Sequence, residues 1–306
     1  MVRRRTIEEP TSRLAIWARG VALFSLAATL IAVIIVRSGA LEIVPALSTL
    51  AGALVLAVLA ILLAIGAAFS IWFEGVGGAR EAATAFLIGF ALIAYPLFLG
   101  VRGYRLPAIY DITTDPIDPP RFDAIARLRP RDANPITYQG LYAAELQHAA
   151  YSDIEPDATD STPQEAYDAA MKVIVKRKWR IVDARPPQGG GPQLVEAQPR
   201  PARSQPPPPP ALPPRDGYIE AVARTPILGF RDDVVVRVRP TGDGARIDVR
   251  SASRYGRHDL GTNASRVRNL IADIDDVLAA PRKPAPASPP TPANKNQPPK
   301  PASARR

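Results

Sequence analysis

DDVVVRVRPTGDGARIDVR, residues 232–250, decides the fold. Val234, Val236 and Val238 alternate with Asp233, Val235, Arg237 and Arg239, so a strand here has an apolar face and a polar face. Ala245, Ile247 and Val249 alternate in the same way with Arg246, Asp248 and Arg250. Between the two runs lies PTGDG, residues 240–244, whose glycines tolerate positive φ as hairpin loops require. The two runs are read as antiparallel neighbours. Upstream, residues 218–224 put Ile219, Ala221 and Ala223 on the apolar side and Glu220 and Arg224 on the polar side.

Downstream, Ala264, Val267, Leu270, Ile271, Ile274, Val277 and Leu278 recur at helical spacing, with Thr262 or Asn263 as the expected N-cap. This helix supplies the stripe that the apolar sheet face needs. A second helix is expected over 163–178. Thr162, Pro163 and Glu165 form a capping box there, and Ala166, Ala170, Val173 and Ile174 form its inner face. Further strands are expected at 180–184 and 108–113, and a short helix at 142–150. The expected fold is α+β: three N-terminal transmembrane helices, then an antiparallel sheet of about 4–5 strands with two helices on one face.

The membrane region is read from three long apolar runs, placed at about 14–36, 43–73 and 82–101 within residues 13–103 and uncharged apart from Arg19 near the edge of the first. A basic segment, 1–12, carries Arg3, Arg4 and Arg5 ahead of the first run. A signal peptide would have a shorter core and would not be followed by two more spans. Ala57, Ala60, Ala64 and Ala68, with Gly52 and Gly66, supply small residues for close helix packing. No ionisable side chain stands at depth, which argues against a transporter or channel built from this chain alone. The arginine distribution and the odd number of spans favour a cytoplasmic N-terminus and a periplasmic C-terminal domain in a bacterial inner membrane.

Residues 104–160 hold Pro107, Pro116, Pro119, Pro120, Pro130 and Pro135 and read as a proline-rich stalk leading into the domain at 161–280. Twelve prolines within 185–215 mark a disordered insertion, in which 193–198 is a stray strand candidate. Residues 281–306 read as a disordered basic tail rich in proline and alanine.

The chain has 306 residues, 38 basic against 29 acidic, no cysteine and two histidines, His148 and His258. Disulfides, thiolate nucleophiles and cysteine-ligated metals are thereby excluded, as is a histidine-rich metal site within one chain. No cofactor is expected. A net charge of +9 suits anionic lipid or cell-wall polymer as well as nucleic acid. Stacking aromatics do not interleave with the arginines, so nucleic acid is not an expected partner.

Three ordered blocks carry a family resemblance: YDITTDPIDPPRF at 110–122, GFRDDVVVRVRP at 229–240 and RIDVRSASRYGRHDLGTNASRVR at 246–268. Together they resemble the domain of unknown function 1499 family, over roughly residues 106–280. The resemblance implies a membrane-anchored or exported bacterial protein, in a family found also in plant plastids, and brings no catalytic residues with it. In that family the link corresponding to 185–215 is short, so the insertion is a departure.

The residues themselves offer one candidate site. Arg237, Arg239, Arg246, Arg250 and Arg254 gather on the polar sheet face, and Arg257 lies in the loop that leads to a helix N-terminus. Guanidinium forks suit phosphate and carboxylate, and helix N-termini favour anions. The expected ligand is an anionic lipid headgroup or cell-wall polymer. The plain alternative is a solvated arginine face. A scaffolding subunit of a membrane complex is the second functional expectation. A hydrolase using His258, Asp259 and Ser251 or Ser253 is the third, disfavoured because no nucleophile elbow, zinc pattern or phosphate loop is present.

Overall fold

The structure is a computed structural model and describes residues 10–188 and 215–280. Most of the insertion, the 193–198 strand candidate, segment 1–9 and the tail from 281 lie outside the described residues.

Among the described residues, three helices are long and apolar enough to cross a membrane: α1 (Arg13–Ser38), α2 (Ile43–Glu74) and α3 (Ala79–Arg105). They pack through alanine stripes, because small side chains let backbones approach where no hydrophobic drive separates helix from lipid. Ala18 and Ala22 of α1, Ala60 and Ala64 of α2, and Ala85 of α3 form one buried cluster. Gly89 sits so close to α2 that an added Cβ would lie 2.9 Å from the Ala57 carbonyl oxygen. Ser25 donates a 2.8 Å hydrogen bond to the Ala53 carbonyl, tying α1 to α2. The expected stripe on α2 holds at Ala57, Ala60 and Ala64, whereas Ala68 and Gly52 face outward.

Among the described residues the extramembrane domain carries six strands, all in antiparallel pairs: β1 (Asp111–Thr113), β2 (Asp157–Thr159), β3 (Arg180–Arg185), β4 (Gly217–Arg224), β5 (Arg231–Pro240) and β6 (Ala245–Ser253). Their order is β1-β6-β5-β4-β3, and β2 also pairs with β6, alongside Ala245–Ile247 where β1 takes Arg250–Ala252. The β5–β6 hairpin closes Pro240 opposite Ala245, as its alternation and loop residues require. Gln188 and Arg215 exchange backbone hydrogen bonds of 3.1 and 2.7 Å, so the insertion leaves and rejoins the end of the β3–β4 ladder. A spacer of any length is tolerated there at little entropic cost.

Helices α5 (Pro163–Lys176) and α6 (Thr262–Ala279) cover one sheet face. Ile219, Val234, Val236, Val238, Ile247 and Val249 pack there against Val173, Ile174, Leu270 and Ile274. Thr162 accepts from the Glu165 backbone and Glu165 returns the bond, completing the expected capping box.

The opposite face differs from expectation. Residues 106–160, within the stretch read as a stalk leading into the domain, pack as part of the domain, while Tyr104 and Arg105 end α3. The stretch 114–138, including a short 3-10 helix (Ile125–Leu128), lies across the polar face. Phe122 and Ile125 bury against Val222, Val235 and Ala252. The next segment forms α4 (Leu141–Ala150), whose Gln147 bonds both the amide and the carbonyl of Thr113.

Candidate functional site

The polar sheet face is a buried ion-pair layer. Arg250 is 3% exposed and holds Asp111 with two hydrogen bonds, 3.0 Å from Nε and 2.7 Å from Nη2. It also donates to the Pro120 and Ile136 carbonyls and lies over the rings of Phe122 and Tyr138. Burial pushes the Asp111 carboxyl upward, and the Arg250 hydrogen bonds and charge pull it back. Arg254 grips Asp233 at 2.7 Å, and Arg129 approaches the same carboxylate at 3.0 Å. Arg237 holds Asp248 at 2.8 Å and reaches Asp118. At the rim, Arg246 bonds Asp115 and Asp248, and Arg239 bonds Asp118. Glu220, fully buried, accepts the amides of Asp123, Ala124 and Ile125 and so anchors the 3-10 helix.

Five of the six expected arginines therefore converge, and each faces a carboxylate of this chain. Asp115 and Asp118 arrive from the covering stretch and Asp111 from β1 just before it, a reach onto the sheet that the alternation of β5 and β6 did not disclose. Arg257 stands apart, exposed in the loop after β6.

The α6 N-terminus is likewise filled. Asp259 accepts the amides of Gly261 at 2.9 Å and Asn263 at 2.7 Å. It takes the capping role expected of Thr262 or Asn263, because the helix is entered through Gly261 at a φ of 75°. Asn263 turns inward to Ser253, Tyr110 and Ser251. Arg266 bonds Ser251 and pairs with Asp232. No hydrogen bond joins His258 to Asp259, Ser251 or Ser253 among the described residues, so the hydrolytic set does not assemble.

Open space lies elsewhere, where the domain meets the bundle. The loop between β4 and β5 rests on the end of α1: Arg37 donates to the Pro226 carbonyl and, at 3.2 Å, to that of Ile227. Beside this contact is a cavity of about 470 Å³. The bundle contributes Arg37 and Glu42, and the domain contributes Asp132, Arg231, Arg254 and Tyr255. Arg254 is committed to Asp233. Arg231 is exposed and forms no ion pair among the described residues. Partial burial, then the nearby charges of Arg224, Arg254 and Arg180, hold its pKa below the usual guanidinium value. Such repulsion is what a bound anion would relieve. Sequence reasoning missed this site because Arg37 and Arg231 are far apart in the chain and neither carries a local motif.

Comparison with known proteins adds one finding. Neither curated proteins nor solved structures gave a match to the chain. The family model described as "Protein of unknown function (DUF1499)" matches residues 111–274, from β1 and its covering stretch through the hairpin into α6. With more than half of its length matched over that whole architecture, the chain belongs to the DUF1499 family.

Proposed function

We propose that this protein is a membrane-anchored binding module that holds the phosphate of a lipid headgroup in the cavity between its bundle and its sheet. One observation carries the reading. Among the described residues, Arg37 and Arg231 line the same cavity without a carboxylate partner, beside a domain that pairs most of its sheet arginines. A guanidinium pair beside helix ends at a bilayer boundary suits phosphate. Arg237 and Arg250 serve instead to fix the fold that positions Arg231, and Arg254 forms the paired wall of the cavity.

The finer placement is a bacterial inner membrane with a cytoplasmic N-terminus and a periplasmic domain. The arginines near the first span support it. A topology reporter fused after Ala280 tests it, and a cytoplasmic signal would reverse it. Native mass spectrometry of the detergent-released protein tests the binding role. The parent should carry a discrete lipid adduct that the Arg37→Gln/Arg231→Gln variant lacks. An adduct kept by that variant, or absent from both, would sink the reading.

A further inference from the structure

We infer that the occupant of the junction cavity is the zwitterionic headgroup of a phospholipid bearing a primary amine, of the phosphoethanolamine type. The inference rests on the binding role proposed above and adds the chemical class of the ligand.

The cavity holds carboxylates as well as guanidinium groups. Glu42 stands at the N-cap of α2 without a capping hydrogen bond from its side chain. Asp132 comes from the stretch that covers the sheet and accepts a hydrogen bond of 3.4 Å from the Tyr255 hydroxyl. Among the described residues none of Arg37, Arg231, Glu42 and Asp132 forms an ion pair, although all four line one cavity. The neighbouring layer behaves differently, for Asp111, Asp233 and Asp248 are each gripped by arginine.

Two cations and two anions that share a cavity without meeting are complementary to a ligand that carries both signs. A purely anionic headgroup would satisfy the arginines and be repelled by Glu42 and Asp132. A phosphate diester joined by two carbons to an ammonium group satisfies both. The ammonium has three N–H donors for carboxylate oxygens, which a quaternary amine lacks. Phe230 and Tyr255 also border the space, so a choline group held on ring faces is the competing outcome.

The cavity wall selects lipid over a free phosphoethanolamine. On the bundle side it is formed by Val36, Leu41, Ile43 and Ala46, where α1 ends and α2 begins. These apolar side chains lead from the charged cavity into the spanning helices, the path that a glycerol backbone and acyl chains would take. The volume lies within the range of small-molecule sites.

The test places the full-length protein in phosphatidylcholine nanodiscs containing equal minor amounts of phosphatidylethanolamine and phosphatidylglycerol. Lipids retained on release are read by native mass spectrometry. The parent should retain phosphatidylethanolamine over either other lipid by about tenfold, the effect of one well-made charged contact. Glu42→Gln/Asp132→Asn should abolish that preference while phosphatidylglycerol is still bound, and Arg37→Gln/Arg231→Gln should lose all retention. All four side chains are on exposed residues, and a thermal melt confirms that each variant is folded. Equal retention of the ethanolamine and glycerol lipids overturns the zwitterion inference and leaves the anion-binding role standing. Enrichment of phosphatidylcholine overturns it in favour of the aromatic rings. No retained lipid defeats both readings. Displacement of the lipid by an equal concentration of soluble phosphoethanolamine overturns the membrane source of the ligand.

Discussion

Arg250 is the residue on which the polar half of the domain depends. Its fork takes both oxygens of Asp111, two carbonyls of the covering stretch and two aromatic rings. Arg250→Ala leaves a fully buried carboxylate without its cation, a defect that costs about 3–5 kcal/mol. Lysine does not rescue it, because a point charge cannot replace a planar fork. At the rim, Arg246 is a third exposed and shares Asp248 with Arg237, so Arg246→Ala costs about 1 kcal/mol or less. Thermal unfolding of the solubilised protein separates the two, and equal losses would contradict the layer. A second residue-scale prediction concerns pH. Asp275 of α6 and Asp157 of β2 share a hydrogen bond, and burial, then the Asp157 charge, raise Asp275 to about 6. A carboxyl raised in the folded state binds protons more tightly there than in the unfolded chain. The pair is therefore least costly below the ordinary carboxylate pKa, and stability falls as pH rises towards about 6. Asp275→Asn should melt higher than the parent at about pH 8 and show no gain at about pH 4. A gain of equal size at both would show that the two carboxyls do not share a proton.

Among the elements, α6 shows how a helix can be legible while its cap is not. Its apolar stripe is local, and so are the hairpin alternation and the α5 capping box, and all three stand where the periodicity puts them. The cap is not local in that sense, because Asp259 lies before a glycine turn and reaches forward four residues to Asn263. Asp259→Ala should cost about 0.5–2 kcal/mol and accelerate amide exchange in the first turn of α6. Unchanged exchange there would return the cap to Thr262. The covering stretch escaped sequence reading for a stronger reason. It has no periodicity and many prolines, and it is ordered by bonds such as the one that spans 130 residues from Arg250 to the Pro120 carbonyl. Asp115 and Asp118 stand among prolines as turn residues do, and Asp115 also performs turn chemistry through its bonds to the amides of Ile117 and Asp118. The blocks that resemble the family supply both halves of the ion-pair layer. That explains why they could be recognised without being understood.

At the scale of the whole molecule, the domain is seated on the bundle as well as tethered to it. The tether is the end of α3, where Gly103 approaches Leu260 and Arg102 approaches Gly261. The seat is the β4–β5 loop, and Gly229 makes it possible. Its φ is +70°, and an added Cβ would lie 3.0 Å from Cγ and 3.4 Å from Cα of Arg37. Gly229→Val adds left-handed strain to that close approach and should lift the loop from α1. The absence of native cysteine gives a clean assay. Cysteines introduced at Ser38 and Ile227 should be joined by a short bifunctional thiol reagent in the parent. The yield should fall several-fold in the Gly229→Val background, while the β5–β6 hairpin keeps its amide protection. If binding needs the seated arrangement, lipid retention falls in step with cross-linking, because Arg37 and Glu42 belong to the bundle and Arg231 and Asp132 to the domain. Retention that survives the loss of cross-linking would mean that one side alone makes the site, and the junction would then be an anchor rather than a pocket.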